Sequence, residues 1–288
     1  MSADVVIWNC AGVPTQGSAY GDRLEQVLVR NGLTVRQVPY MERHLTADEL
    51  AAPCHLLSGG EVAVHDPDPF MQQALTDLTQ VLARAQAGDA MVIGTCLGMQ
   101  MIAACLTHTD FVVERPGPIN VGLAQFTGGD SVDPIDRHMV SAVFHYHRVS
   151  PDILQEPGIN LRYTSDCAPV AAIDAGPNII GYQFHPELSP SDMRALARHN
   201  RELIEGFGIT VDMVDDRIAE LEAIWTENSA DRLLAEPFRA FLSRPGLDRP
   251  KQAAVVQSVD FSEPKPSISV YSMTVIEEPD NDKIHRQR

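Results

Sequence analysis

The sequence predicts an α/β protein with a mainly parallel sheet and helices on both faces, followed by a C-terminal helix and strand extension. Three observations carry that reading. Short β-branched runs alternate with helix-length amphipathic segments through the first two-thirds of the chain. The 288 residues, 44% of them hydrophobic, are enough for one substantial core with or without a small appendage. The character of the sequence then changes after Phe207, and neither an internal repeat nor a low-complexity tract interrupts it before that point.

The expected strands are Val5 to Asn9, Thr34 to Val38, His55 to Leu57, Met91 to Ile93, Phe111 to Val113, Val170 to Ile173 and Ile179 to Phe184. The expected helices are Tyr20 to Arg30, Pro69 to Ala87, Gly98 to Leu106 and Ser191 to Phe207. Residues 1–207 are thereby read as one domain and 208–288 as an extension. Within the extension, Val214, Ile218, Leu221 and Trp225 follow helical spacing along an acidic helix between Asp212 and Phe241. Pro245, Gly246 and Pro250 break the chain. Two strands are then expected at Ala253 to Phe261 and Ile268 to Ile276, ahead of a frayed polar tail from Glu277.

Charge and composition exclude several function classes. The 39 acidic against 22 basic side chains give a net charge of -17, a field that repels a phosphate backbone, so nucleic-acid binding is not expected. No apolar run approaches the roughly 20 residues that cross a bilayer, and the N-terminal stretch lacks a basic region ahead of Val5. A cytoplasmic location is expected. Five cysteines without framework spacing or a CxxC pair point to a reducing compartment, and no Cys/His spacing suits zinc. No metal and no cofactor is called for.

The most informative stretch runs Met91-Val92-Ile93-Gly94-Thr95-Cys96-Leu97-Gly98-Met99-Gln100. A buried strand enters a tight turn with glycine on both sides of a cysteine, and a helix begins at once. This is the cysteine form of a nucleophile elbow, with the thiol at a helix N-terminus where partial positive charge favours the thiolate. Downstream, Gly181-Tyr182-Gln183-Phe184-His185-Pro186-Glu187 ends a strand in a histidine with a carboxylate two residues on. Glu187 is therefore able to bond one ring nitrogen of His185 while the other faces a thiol.

Those residues resemble a known family. Gly94 to Gln100 is similar to the nucleophile motif of the class I, triad-type glutamine amidotransferases, and Gln183 to Glu187 resembles their His-Pro-Glu motif. Leu56-Leu57-Ser58-Gly59-Gly60 resembles the loop that gives one oxyanion donor in that family. Phe144-His145-Tyr146-His147-Arg148-Val149 is similar to the Tyr-His-Ser-Leu segment that grips glutamine in the anthranilate-synthase type. The resemblance spans about residues 4–205, with four motifs in the family's order.

The resemblance implies a flavodoxin-like fold and release of ammonia from glutamine. Cys96 would attack the side-chain amide, His185 would carry the proton and Glu187 would orient His185. The N–H groups of Gly60 and Leu97, with Gly59 beside them, would form the oxyanion hole. Gln100 and the backbone of Arg148 and Val149 would hold the amino-acid end of glutamine. Two positions depart from the pattern. Glu61 follows Gly60 where many members have proline, and Arg148 stands where the anthranilate type has serine. The Arg148 side chain either meets the substrate carboxylate, turns to a partner, or does neither.

Other residues carry plainer readings. Cys10, Cys54, Cys105 and Cys167 are expected to pack, and His145 with His147 to alternate faces without binding metal. Trp8 and Asn9, at the end of the first strand, are candidates for the pocket border. No P-loop is present, so ammonia would pass to a separate synthase or ligase partner acting on an acceptor the sequence does not specify. The apolar stripe of the extension packs on the core or docks that partner, the former being favoured. Two rivals use the same scaffold: a stand-alone γ-glutamyl hydrolase, and a catalytically silent regulatory or binding protein.

Overall fold

A computed structural model describes residues 3–11, 20–40, 42–66, 69–109, 112–115, 117–130 and 132–245. The first half of the chain alternates strand and helix: β1 (Val5–Asn9), α1 (Tyr20–Arg30), β2 (Val35–Pro39), α2 (Ala47–Leu50), β3 (Cys54–Leu57), α3 (Pro69–Ala87), β4 (Met91–Thr95) and α4 (Leu97–Thr107). Strands dominate the middle: β5 (Val113–Glu114), β6 (Asn120–Gly128), β7 (His138–His145), β8 (Arg148–Val149), β9 (Ile159–Thr164), β10 (Ala172–Ala175) and β11 (Ile179–Tyr182). Helices close the described chain: α5 (Pro190–His199), α6 (Arg201–Gly206), α7 (Val211–Glu222), α8 (Asn228–Ala230) and α9 (Glu236–Leu242), with a π-helical turn at Asp231–Ala235 between the last two.

Among the described residues the main sheet has the order β2-β1-β3-β4-β11-β10-β9-β6-β7. The pairs from β2 to β11 are parallel and the pairs from β11 to β7 antiparallel. The parallel part has the doubly wound flavodoxin-like order, in which ligands gather beyond the carboxyl ends of the strands. β5 and β8 pair separately, with Glu114 opposite Arg148.

Side-chain alternation sorts the parallel strands onto two cores. Val6 and Trp8 of β1 face α3 and α4, while Val5 and Ile7 face α1, the π turn and α9. Val92 of β4 points to the first core, and Met91 and Ile93 to the second. Both faces of β1, β3 and β4 are covered, which is why they read as nearly unbroken apolar runs, whereas the edge strand β2 carries Arg36 and Gln37. A third core lies where β6 and β7 meet α5, α6 and α7.

Several boundaries differ from expectation for local reasons. The helix expected from Ser191 to Phe207 is two helices, because Asn200 leaves helical geometry (φ -98°, ψ 27°) and its side-chain amide donates to the Leu196 carbonyl. α5 also begins one residue earlier, with Pro190 in its first turn and Ser189 and Asp192 forming a capping box. The strand expected at Phe111 to Val113 is Val113–Glu114, Phe111 lying outside the described residues. β6, β7 and β9 are strands that the sequence pattern does not mark. β6 carries Gly122 at φ +118° and interleaves Gln125 and Thr127 with its apolar residues, which blunts its strand signal.

The segment after Phe207 packs back on the sheet as far as it is described. Val214, Ile218 and Leu221 are buried in the third core with Trp225 half-buried beside them, so this stripe is covered by the chain itself rather than open to a partner. Phe238 and Phe241 of α9 are fully buried in the second core. At the π turn, the Leu233 carbonyl accepts the Tyr182 hydroxyl at 3.2 Å. The strands expected at Ala253 to Phe261 and Ile268 to Ile276, and the tail beyond, lie outside the described residues.

Candidate active site

The ends of β3, β4 and β11 lie side by side in the sheet, and the chain leaving each of them carries one part of the site. Cys96 follows β4 and opens α4 with φ 50° and ψ -105°, a backbone conformation that costs an L-residue about 1–3 kcal/mol. Its N–H donates to the Tyr182 carbonyl at 2.7 Å and its carbonyl accepts the Gln100 N–H at 3.2 Å, which fixes the bend. The sequence assigns the bend to the flanking glycines, yet the cysteine itself takes it. Gly94 and Gly98 are required by close approach instead. A Cβ on Gly94 would lie 2.5 Å from the Gly98 carbonyl carbon, and one on Gly98 would lie 2.6 Å from the Leu57 carbonyl oxygen.

His185 follows β11 and is held from two sides. Its backbone N–H donates to the Ala142 carbonyl of β7 at 2.8 Å, and Nδ1 bonds Glu187 Oε1 at 2.8 Å. Both side chains are inaccessible to solvent. Nε2 has no hydrogen-bond partner, nor has the second oxygen of Glu187. Burial opposes a charged ring, but Glu187 and then Cys96 outweigh it and raise the His185 pKa well above the ordinary value. Ring and thiol meet across Gly59, where a Cβ would lie 2.6 Å from His185 Cε1, 3.4 Å from Nε2 and 3.5 Å from Cys96 Cβ.

The loop after β3 is pinned by Ser58. Its hydroxyl accepts the Cys10 N–H at 2.9 Å and donates to the Gly59 carbonyl at 2.7 Å, and its own N–H donates to the Trp8 carbonyl at 3.1 Å. Fixing the Gly59 carbonyl fixes the Gly60 N–H, because the peptide plane sets the two groups in opposite directions. The loop therefore has a rigid element where proline is missing at Glu61. Gly60 also admits no side chain, since its Cβ would come 2.5 Å from the Cys10 carbonyl oxygen. Leu97 starts α4, so its N–H belongs to the first-turn group that no helix carbonyl can satisfy.

A thiol at a strained elbow, a carboxylate-held imidazole beside it and rigid glycine N–H groups form a set suited to acyl transfer. The family model described as glutamine amidotransferase class-I matches residues 15–202. The chain belongs to the class I glutamine amidotransferases. Its fold is similar to that of a glutamine amidotransferase from Thermotoga maritima, at 14% identity and TM-score 0.63 over 83% of this chain and 98% of that one. It is likewise similar to a glutamine amidotransferase from Methylobacillus flagellatus, at 18% identity and TM-score 0.64 over 88% of this chain and all of the other (100%). A putative GMP synthase subunit from Thermoplasma acidophilum matches at 18% identity and TM-score 0.50 over 71% of this chain and 94% of that one. At these identities the likeness is one of fold. No curated protein matches the sequence.

In this amidotransferase the end of β7 and the turn that follows it lie against the elbow. The Phe144 carbonyl is 3.8 Å from Cys96 Sγ, and the His147 carbonyl accepts Gln100 Nε2 at 3.0 Å. Arg148 turns its side chain away, with Nε 2.9 Å from Glu114 Oε1 and Nη1 3.4 Å from the Cys167 carbonyl. The Val149 N–H donates to Gln183 Oε1 at 3.3 Å, and Gln183 Nε2 lies 3.9 Å from Cys96 Sγ. His145 is buried with both ring nitrogens unpartnered, and burial, followed by His185, lowers its pKa to about 3.

Sequence reasoning missed Tyr20. Its ring stacks on His185 with centroids 4.9 Å apart and planes 20° from parallel, and it is itself buried. No motif contains Tyr20, and its apolar spacing in α1 reads as core. Trp8, a candidate for the pocket border, is instead fully buried, donating Nε1 to His55 Nδ1 at 3.1 Å and stacking on Tyr40. Asn9 is half-buried and bonds Gln37 at 2.7 Å. The four remaining cysteines pack in or against the apolar cores, and burial raises the thiol pKa of Cys10 to about 12 and of Cys105 to about 11. Among the described residues no helix is long and apolar enough to cross a membrane.

Proposed function

We propose that the protein hydrolyses the side-chain amide of glutamine through Cys96, His185 and Glu187 and hands the ammonia to a separate synthase or ligase. The observation that carries this reading is the 2.8 Å bond between His185 Nδ1 and Glu187 Oε1, with the ring's other nitrogen unpartnered beside a cysteine at a strained turn. Glu187 fixes the ring orientation. His185 takes the thiol proton as Cys96 attacks the amide carbon and gives it to departing ammonia. Water then attacks the thioester, His185 receives its proton, and glutamate leaves as the thiol is restored. The N–H groups of Gly60 and Leu97, beside Gly59, face the developing oxyanion, and one such donor is worth about 100- to 1,000-fold in rate. Gln100 and the backbone at Arg148 and Val149 bound the amino-acid end.

The likeness to a putative GMP synthase subunit supports a partner on another chain. Incubation with an electrophilic glutamine analogue followed by peptide mass spectrometry tests the reading. An adduct on Cys96, absent from Cys96→Ala, is expected. An unlabelled Cys96 in protein that retains its native circular dichroism overturns it.

A further inference from the structure

One cation at the mouth of the site has no role in the chemistry above. Arg115 follows β5 and is exposed, with its guanidinium carbon 5.1 Å from the Tyr146 ring centroid and 5.7 Å from that of Phe207. The two rings are 6.3 Å apart and 24° from parallel, so they form an aromatic shelf under the guanidinium. Rings hold a cation without neutralising it, which leaves the N–H edge available to a carboxylate. The contacts made by Arg115 among the described residues are to these rings rather than to an acidic side chain.

The shelf adjoins the proposed glutamine site. Tyr146 lies two residues beyond Phe144, whose carbonyl is 3.8 Å from Cys96 Sγ. The next residue, His147, holds Gln100 through its carbonyl and packs edge-on against His65 at 4.9 Å. Burial lowers the His147 pKa to about 4, and His65 and then Arg115 add to that shift, as expected of a guanidinium standing close by. The groups that the family resemblance assigns to the amino-acid end are partly engaged already. The Gln100 side-chain amide donates to the His147 carbonyl, and the Val149 N–H to Gln183.

We propose that Arg115, seated on Tyr146 and Phe207, binds the free α-carboxylate of the substrate, so that the protein selects free glutamine over γ-glutamyl compounds blocked at that carboxylate. The proposal rests on the glutamine-hydrolysing reading of Cys96. It is tested by labelling Cys96 with an electrophilic glutamine analogue and, separately, with the α-methyl ester of the same analogue. Wild type and Arg115→Gln are compared, with native circular dichroism required of both. A charge-assisted contact is worth roughly 10- to 100-fold. Arg115→Gln is therefore expected to slow labelling by the free acid by about that factor, to leave the ester rate unchanged, and to abolish the wild-type preference for the acid. Arg115→Lys should recover part of it. Equal slowing with both reagents, or no slowing with either, overturns the role of Arg115 alone. Failure of both reagents to label wild type overturns the glutamine reading and this inference with it, so the two failures are told apart.

Discussion

The carboxyl ends of the sheet and its two faces are built on opposite rules. On the faces the side chains of β3, β4 and β11 are all buried, and Trp8, Tyr40 and Phe238 are hidden with their polar atoms satisfied or absent. At the ends, four buried polar atoms are left open, His185 Nε2, Glu187 Oε2 and both nitrogens of His145, against Arg137 Nε, Arg162 Nε and Asp215 Oδ1 elsewhere among the described residues. An unpartnered buried polar atom costs about 1–3 kcal/mol. The faces can carry that cost because they hold most of the apolar burial. The ends spend stability on reactive geometry, and the faces supply it.

This contrast breaks most visibly at Glu187. Glu187→Gln removes the group that raises the His185 pKa, and a loss of glutaminase or labelling rate on the order of 1,000- to 10,000-fold is expected, measured alongside the melting temperature. On the opposite side, Phe238→Ala should lower stability by about 3–5 kcal/mol in urea unfolding while the labelling rate of the folded fraction stays within about twofold of wild type. If Phe238→Ala removes activity at unchanged stability, the division between ends and faces fails. Gly59→Ala sits at the ends. Its Cβ would strike His185 Cε1 at 2.6 Å, and the displaced ring should cost about 100-fold in rate with little change in unfolding midpoint.

Acidity separates the histidines in the same way. Burial lowers the pKa of His55, then Arg84 adds to it, to about 3, and His145 and His147 are lowered to about 3 and 4. Below the ordinary histidine pKa of about 6.5 the unfolded chain takes protons that these folded rings refuse, so the fully buried His55 and His145 each erode stability by up to about 1.4 kcal/mol per pH unit and the solvent-screened His147 by less. His185 runs the other way. Its raised pKa gives a contribution that is whole below about 6.5 and is lost as pH rises through the folded value. Urea unfolding between pH 7 and pH 4 should therefore show a falling acid limb, and His55→Leu should flatten it by about one proton's worth. The smallest effect is expected at Arg148. Arg148→Ala breaks a partly exposed pair with Glu114 worth under about 1 kcal/mol and should leave the labelling rate unchanged, which calorimetry and mass spectrometry check.

The same division explains what the sequence made legible. β1, β3 and β4 are read directly because both their faces are buried, so residues such as Val5, Ile7, Leu56 and Ile93 form apolar runs between turn signals. The elbow and the His-x-Glu cluster are legible because reactive chemistry demands particular residues at short spacing. β6 and β7 are not, because Gly122, Gln125 and Ser141 interrupt their patterns and the pairing of Leu123 with Ala142 is known only once the chain has folded. Tyr20 and Arg115 escape for a related reason. Each acquires its place by stacking on a ring far away in sequence, and spacing carries no trace of it.

Tyr182 joins the two regions in one residue. Its backbone carbonyl takes the N–H of Cys96, and its hydroxyl reaches the π turn at Leu233. A chain cut after the family-matched region would thus shed an anchor lying one hydrogen-bonded residue from the nucleophile, not a passive appendix. In the uncut chain thermal melting and the fading of Cys96 reactivity should run in step, which makes the thiol a built-in gauge of whether the C-terminal helices are seated.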